Sequence, residues 1–291
     1  MSPTSQPPHV ISTLPDLRQV LDPLHGAGQT IGLVPTMGAL HEGHLSLVRA
    51  CRADCDFTVV SIYVNPSQFG PHEDLARYPR TLHSDLEALA GCGADLAFVP
   101  TDEDVYPSGY ATWVEVGSVA RPLEGECRSG HFRGVATIVL KLLNMVGPRI
   151  AYFGQKDFQQ ALVIRRMVAD LNVPVEIRVL PTVREADGLA MSSRNRHLAP
   201  DERGRAAALF KSLCLAGELV AQGERSAAAI VRKMRTLIDA VQPTRIDYVA
   251  LADPETLEPV EEIGGPTLAA LAVVIGRTRL IDNCLLQPPA G

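Results

Sequence analysis

Runs of apolar, largely β-branched residues alternate along the first 183 residues with segments whose apolar positions recur at helical spacing. The runs predict strands at Ile31–Val34, Phe57–Val64, Leu96–Val99, Ile150–Phe153 and Val175–Leu180. The intervening segments predict helices at Leu45–Ala53, Leu82–Ala90, Val135–Val146 and Ala161–Leu171. Because alternating strands and helices connect through right-handed crossovers, the pattern predicts an α/β fold with a doubly wound, mostly parallel, Rossmann-like sheet.

The pattern changes after about residue 184. Two helical segments, Pro200–Gln222 and Ser226–Val241, precede apolar runs at Ile246–Ala250 and Leu268–Ile275 that favour a small antiparallel layer. We therefore predict a Rossmann-like domain over residues 1–183 and a second, smaller α+β domain over residues 184–291.

The bulk composition narrows the class of protein. The 291 residues are 46% hydrophobic with a net charge of −6, which argues against a broad nucleic-acid surface. The longest apolar stretch, Leu268–Ile275, is far shorter than the about 20 residues of a membrane span. The Pro- and Ser-rich start, Met1–Val10, lacks a leader pattern, and the six cysteines form no Cys-x-x-Cys pair. We expect a cytoplasmic protein with reduced, mostly buried thiols that binds neither nucleic acid nor a membrane.

The segment Pro35–His44 is the most informative in the chain. We expect Pro35 to end the first predicted strand, because proline has no N–H to donate to a ladder. A small-residue turn then leads into a helix N-terminus that carries His41 and His44, where free N–H groups and the helix dipole favour a phosphate. Histidines three residues apart do not have the spacing of a zinc-protease helix. Two ordinary capping or loop histidines remain the alternative.

Further polar residues follow predicted strands and therefore lie at the same edge of the sheet. Asn65 and Gln68 follow one strand, and their amides suit a substrate that carries hydroxyls and a carboxylate. Lys156 follows another strand and can reach a phosphate as a mobile charge. A turn stabilised by the Asn65 amide and a solvated loop lysine are the competing interpretations.

Two loops complete the candidate chemistry. Gly188–Asn195 offers hydroxyls and a guanidinium that can wrap a triphosphate, although Ser-Ser-Arg-Asn is also an ordinary helix-capping sequence. Gly70–His83 is a candidate lid, or else a surface loop.

Several segments together resemble one family. Pro35–His44 is similar to the His-x-Gly-His signature of the nucleotidyltransferase superfamily. With four further motifs, the chain resembles the pantoate–β-alanine ligases of that superfamily; the additional segments are Val64–Phe69, Arg77–Arg80, Gly154–Asp157 and Met191–Asn195. The resemblance implies ATP and Mg²⁺, the substrates pantoate and β-alanine, and a homodimer. It also implies a reaction in which pantoate is adenylated and β-alanine then displaces AMP.

The resemblance also implies roles for individual residues. His44, His41 and Lys156 are the expected catalytic groups. The expected nucleotide-binding residues are Met37, Gly38, Ala39, Leu40, His41, Glu42, Gly43, His44, Gly154, Gln155, Lys156, Asp157, Val183, Met191, Ser192, Ser193 and Arg194. The substrate residues are expected to be Gln68 and Gln160, with Asn65 and Arg128 as weaker candidates. Asp85 is the candidate Mg²⁺ ligand on the resemblance, but Ser84 stands where some family members have a second aspartate, and phosphate oxygens and water can hold the ion instead. His131, near Arg128, is better explained as the start of a helix.

Three rival functions compete with this hypothesis. Another adenylyl transferase would share His-x-Gly-His but lack the combined Asn65–Phe69 and Gly154–Gln160 pattern. A regulatory module that senses ATP would not need charged loops for releasing pyrophosphate. A dehydrogenase is disfavoured because no Gly-x-Gly-x-x-Gly opens a helix after a strand.

Overall fold

A computed structural model of the chain describes residues 6–71 and 73–289. Residues 1–5 of the Pro- and Ser-rich start, His72 in the predicted lid, and the last two residues of the predicted second domain lie outside the described residues. The chain divides into two compact units. The first runs to Ala120 and resumes over Arg128–Gly154 and Gln159–Pro181. The second comprises Arg121–Cys127, Gln155–Phe158 and the chain from Thr182 onward.

The first unit contains a six-stranded parallel sheet, which confirms the predicted α/β class. Its strands are β1 (His9–Ile11), β2 (Ile31–Thr36), β3 (Phe57–Ile62), β4 (Leu96–Phe98), β5 (Ile150–Gly154) and β6 (Glu176–Leu180). Their order is β1-β4-β3-β2-β5-β6, so the chain winds one way from β2 through β4 and the other way through β5 and β6. The order reverses between β2 and β5, and ligands of such sheets bind beyond the carboxyl ends of the strands at that reversal.

Helices cover both faces of this sheet, because its strands are buried on both sides. Among the described residues of both units the α-helices are α1 (Leu14–Gly26), α2 (Glu42–Asp54), α3 (Leu82–Cys92), α4 (Asp102–Val105), α5 (Glu124–Cys127), α6 (His131–Val146), α7 (Phe158–Asp170), α8 (Pro200–Ala221) and α9 (Ala227–Asp239). Two separate apolar clusters, one on each face of the sheet, form the core of the first unit. The described helices include none that is long and apolar enough to cross a membrane.

Pro35 does not end β2, contrary to the sequence expectation. It lies inside the strand and stands opposite Ser61 of β3. The carbonyl of the next residue, Thr36, accepts from Tyr63 on the β3 side. Alternation along a strand therefore turns the Pro35 nitrogen toward β5, where pairing extends only to Leu33. A missing N–H at this position costs the sheet no hydrogen bond.

The second unit has an antiparallel sheet in the order β7-β8-β9, formed by β7 (Arg245–Ala252), β8 (Thr267–Ile275) and β9 (Thr278–Leu286). The sequence predicted β7 and β8 to within two residues but contained no indication of β9. A two-residue turn at Gly276 joins β8 to β9, and Ile275 pairs with Thr278. The predicted boundary between residues 183 and 184 stays a prediction, since Arg121–Cys127 and Gln155–Phe158 also group with the C-terminal unit.

The expectation of mostly buried thiols is wrong. All six cysteines are free, but only Cys51 and Cys55 are buried. Cys92 and Cys284 are partly exposed, and Cys127 and Cys214 are exposed. Their sequence neighbours do not reveal this, because burial depends on which face of a helix or strand a residue occupies.

Candidate active site

The turn between β2 and α2 has a backbone that few residues adopt. Gly38 and Ala39 both have positive φ, at 81° and 50°. The Thr36 hydroxyl accepts from Gly38 N at 3.2 Å and donates to the Ser61 carbonyl at 2.7 Å. Glycine is needed at position 38 because a Cβ there would lie 3.0 Å from an Asp85 carboxylate oxygen.

Asp85 holds this turn from the neighbouring helix α3. Its side chain is only 3% exposed, and its two oxygens accept from Ala39 N at 3.0 Å and Leu40 N at 2.8 Å. The Thr81 hydroxyl donates to the same carboxylate. Asp85 was predicted as a Mg²⁺ ligand, and in the structure its carboxylate holds the turn between β2 and α2. Within residues 6–71 and 73–289, no three His, Cys, Asp or Glu side chains cluster so that they could hold a metal ion by themselves.

The two histidines form the N-terminal cap of α2. His41 Nδ1 accepts from Gly43 N at 3.2 Å, and His44 Nδ1 accepts from His41 N at 3.4 Å. Their rings lie 4.1 Å apart between centroids. Because each Nδ1 acts as an acceptor, the neutral ring carries its proton on Nε2 and can donate there. Both histidines therefore cap α2, as the alternative expected, and capping leaves each neutral ring with its proton on Nε2. Their nucleotide role stays a prediction.

The amides that follow β3 form a buried network. Asn65 is 1% exposed and caps a short 3-10 turn, Pro66–Gln68, by accepting from Ser67 N and Oγ. Its Nδ2 donates to Gln68 Oε1 at 3.0 Å. Gln68 Nε2 in turn lies 3.1 Å from the Met37 sulfur. The structure thus brings Gln68 directly against the turn that carries the histidines, while Asn65 orients it.

Arg128, a candidate substrate residue, belongs to a hydrogen-bonded network with Glu73 and His131. Its guanidinium makes two charge-assisted hydrogen bonds to the Glu73 carboxylate, at 2.7 and 2.6 Å, and its Nη1 lies 3.0 Å from His131 Nε2. His131 Nδ1 lies 2.8 Å from the Gln68 carbonyl. Burial alone raises the pKa of Glu73, but the hydrogen bonds and charge of Arg128 outweigh it and hold that pKa below its usual range. The connection links the predicted lid to the backbone of Gln68.

Two adjacent glutamines on α7 are placed differently. Gln159 is buried and donates to the Val119 carbonyl at 3.0 Å, which makes it structural. Gln160, the predicted pantoate residue, is half-buried, and its side chain makes no hydrogen bond within the part of the chain that the structure describes.

The remaining nucleotide motifs belong to the second unit, apart from Gly154 at the end of β5. The side chain of Lys156 is 20% exposed, and its Nζ lies 3.4 Å from an Asp157 carboxylate oxygen. Met191 N donates to the Val183 carbonyl at 3.0 Å and so closes the loop between them. The Ser192 hydroxyl accepts from Arg194 N at 3.2 Å, and Ser193 is buried.

Sequence reasoning missed several residues that support these motifs. They are Glu73, Arg184, Asp282 and Asn283, which contact the motif segments or the residues beside them. The last two lie on β9, whose polar and apolar residues do not form a clear strand pattern. Only the concentration of charged residues near position 184 could have drawn attention to Arg184.

The sheet and the capped histidine turn define an α/β protein with a candidate phosphate site at the N-terminus of α2. The model of one family, pantoate-beta-alanine ligase, matches residues 9–285. A pantothenate synthetase of Moorella thermoacetica is 55% identical over 278 residues, which are 96% of this chain and 98% of that protein. One of Roseiflexus sp. is also 55% identical over 278 residues, 96% of this chain and 99% of that protein.

Solved structures agree with the sequence comparison. The crystal structure of pantothenate synthetase from Thermus thermophilus superposes with a TM-score of 0.92 at 45% identity, covering 96% of this chain and all of that one. The pantoate-beta-alanine ligase of Francisella tularensis, complexed with beta-gamma ATP and beta-alanine, superposes with a TM-score of 0.81 at 33% identity and covers 96% and 97% of the two chains. The chain belongs to the pantoate–β-alanine ligase family.

Proposed function

We propose that this chain ligates pantoate to β-alanine with the cleavage of ATP, through a pantoyl adenylate, releasing AMP and pyrophosphate. The observation that carries the proposal is the contact of Gln68 with the Met37 sulfur at 3.1 Å, because it sets a buried amide beside the capped histidine turn. Family membership and the ATP and β-alanine complex of the Francisella tularensis relative support it.

In the first step, a pantoate carboxylate oxygen attacks the α-phosphorus of ATP. The new O–P bond forms as the bond to the β-phosphate oxygen breaks, and pyrophosphate leaves with that electron pair. His44, assisted by His41, donates from Nε2 to the phosphate oxygens on which charge increases. The α2 N-terminus adds its dipole at the same place.

A departing pyrophosphate requires positive charge and hydrogen-bond donors. We assign Lys156, Ser192, Ser193 and Arg194 to the phosphates, and the backbone at Met37 and Val183 to the adenosine. The Val183 carbonyl already accepts from Met191, so its other lone pair is the one available to a nucleotide.

Pantoate is assigned to Gln68 and Gln160, whose amides offer donors and acceptors to its hydroxyls and carboxylate. Asn65 acts through Gln68, since both its amide nitrogen and its oxygen are used within the turn. In the second step the unprotonated β-alanine amine attacks the acyl carbonyl carbon. The C–N bond forms as the C–O bond to AMP breaks, AMP leaves with that electron pair, and the amine gives up a proton to water. Neither step needs a protein nucleophile, so positioning and charge stabilisation carry the reaction.

The Asp85 carboxylate, as it is placed in the structure, does not fit the role of a Mg²⁺ ligand. Asp85, the predicted ligand, uses its two oxygens to accept from backbone N–H groups and from Thr81. We therefore propose that Mg²⁺ accompanies ATP through phosphate oxygens and water, and assign no step to it. The homodimer and the cytoplasmic location remain predictions.

Pyrophosphate exchange tests the proposal most directly. We expect the protein to incorporate labelled pyrophosphate into ATP only when pantoate is present, and without any amine. Exchange without pantoate would favour another adenylyl transferase, and ATP binding without exchange under any condition would favour a sensing module. Pantothenate and AMP should then form in equal amounts after β-alanine is added.

A further inference from the structure

Two buried polar residues of β9, Asp282 and Asn283, contact segments that carry nucleotide motifs within the second unit. Their exposures are 2% and 4%. Neither residue belongs to a motif, and neither has a role in the proposed chemistry. Burying two polar side chains in the middle of a strand costs folding free energy unless they form hydrogen bonds, so the partners of this pair show what it does.

The Asn283 amide fixes the backbone on both sides of Lys156. Its Nδ2 donates to the Gln155 carbonyl at 3.0 Å and to the Lys156 carbonyl at 2.8 Å. These carbonyls belong to the two peptide groups that flank the Lys156 Cα. Holding both planes sets the direction in which the lysine side chain leaves the backbone.

The other end of the same amide has no partner. Asn283 Oδ1 is buried without a hydrogen bond within the described residues. Turning the amide over would set that oxygen against two carbonyls, so the network itself determines the orientation. An orphaned buried acceptor opposes folding, which argues that the two donors are retained for the loop they hold.

Asp282 performs the corresponding task for the second loop. Its carboxylate receives two hydrogen bonds from Arg184, at 2.6 and 3.0 Å, and one from Asn283 N at 2.8 Å. Arg184 Nη1 also donates to the Gly188 carbonyl at 3.0 Å. Arg184 follows Val183 directly, and Gly188 opens the segment that leads to Arg194.

Phe210 limits the movement of this second loop. The Arg184 guanidinium stacks over its ring at 4.4 Å. Gly188 approaches the same ring so closely that a Cβ would lie 1.9 Å from a ring carbon. The loop is therefore held at its start by a charge network and by steric contact.

We propose that Asp282 and Asn283 are positioning residues for the nucleotide: this single dipeptide of β9 fixes the Lys156 loop and the Gly188–Arg194 loop together. The inference rests on the proposed function, because it takes both loops to bind the phosphates of ATP. Loops that are already held in place need not be ordered when a ligand binds, so less of the binding free energy is lost. Loss of the dipeptide contacts should therefore weaken ATP binding and leave pantoate binding unaffected.

Asn283→Leu separates this role from a purely structural one. Leucine has a similar volume and removes both donors together with the orphaned acceptor. Loss of that acceptor partly offsets the two carbonyls left without their donor, so the protein should still fold. Calorimetry with a non-hydrolysable ATP analogue, without pantoate, should show affinity about tenfold weaker, as expected from two lost hydrogen bonds. The KM for pantoate at saturating ATP should stay within about twofold of the parent.

Leu280→Ala is the matched control, since Leu280 lies on the same strand in the apolar core. It should lower the melting temperature and leave nucleotide affinity unchanged. If Asn283→Leu does not fold, Asn283→Ala, which also lacks both donors and adds no charge, takes its place with the same expected tenfold loss.

Parental affinity in the folded Asn283 variant would overturn the inference. The inference would also be overturned if Leu280→Ala, compared at an equal drop in melting temperature, lost as much nucleotide affinity as the Asn283 variant. A parent protein that does not bind the analogue at all would instead refute the proposed function.

Discussion

Gly134, in the first turns of α6, offers a sharp test of how Gln68 is placed. A Cβ at this position would lie 2.3 Å from the Ser67 carbonyl oxygen, 2.5 Å from its carbon and 2.7 Å from Gln68 N. All three atoms are backbone, so no side chain can rotate away. To reach an ordinary contact distance, the helix and the Pro66–Gln68 turn would have to separate by roughly 1 Å.

That separation acts on the hydrogen bonds that join the two elements. Asn65 Nδ2 donates to the Gly134 carbonyl at 3.3 Å, and His131 Nδ1 lies 2.8 Å from the Gln68 carbonyl. Gly134→Ala should therefore displace the Gln68 amide. A misplacement of about 1 Å can cost about 10²-fold in rate, so we expect kcat/KM for pantoate to fall by about that factor. The overpacked contact should also cost about 1–3 kcal/mol of stability.

Steady-state kinetics with each substrate varied in turn measure the effect, and calorimetry with an ATP analogue should show nearly unchanged nucleotide affinity. Gly217→Ala is the matched control. Gly217 lies inside α8, and a Cβ added there would have no neighbouring atom within 4 Å, so alanine should be neutral or stabilise the helix by up to about 1 kcal/mol. A Gly134→Ala enzyme with parental use of pantoate would refute this placement of Gln68.

Three further changes test other parts of the site. His44→Ala should lower the rate of adenylation by about 10²–10³-fold in a folded enzyme; turnover within a few-fold of the parent would remove His44 from the chemistry. Lys156→Ala should slow single-turnover formation of the adenylate even at saturating ATP, because an interaction stronger in the transition state lowers turnover as well as affinity; an unchanged rate would leave Lys156 as an anchor only. Glu73→Gln should destabilise the protein at neutral pH. Because Arg128 holds the folded-state pKa of Glu73 below its usual range, the stabilisation is present above the unfolded pKa and is lost as the pH falls through the folded one. Parent and variant should converge in thermal melts under acid conditions, and a gap that persists there would contradict this.

The sequence predicted the parallel sheet well for a physical reason. Strands buried on both faces must be almost continuously apolar, and β3 illustrates this with five buried residues of six. β1 was missed because it has three residues, of which only Ile11 is buried. β9 was missed because polar residues such as Asp282 and Asn283 stand where a simple pattern requires apolar ones.

In the candidate site, the sequence likewise revealed some residues and not others. Motif residues such as His44, Gln68 and Lys156 could be identified because their types match the chemistry of phosphate and of a hydroxy acid. The residues that hold them could not, since Asp85 and Asn283 act through backbone atoms that are distant in the sequence. Nearly every residue type offers the same backbone N–H and carbonyl. A side chain that binds these groups can therefore have almost any residue as its partner, and no pattern in the sequence reveals the pair.

The capped histidines show why a structural role does not argue against a functional one. Capping uses Nδ1 of both His41 and His44, and it does so with backbone N–H groups of the α2 N-terminus. Had Nδ1 carried the proton, neither cap could form, so the cap selects the tautomer whose Nε2 donates. Asn65 repeats the principle, because the amide that caps its turn also orients Gln68. In both cases local folding energy stabilises the same geometry that the proposed chemistry needs, and a substitution at either place should therefore change stability and catalysis together.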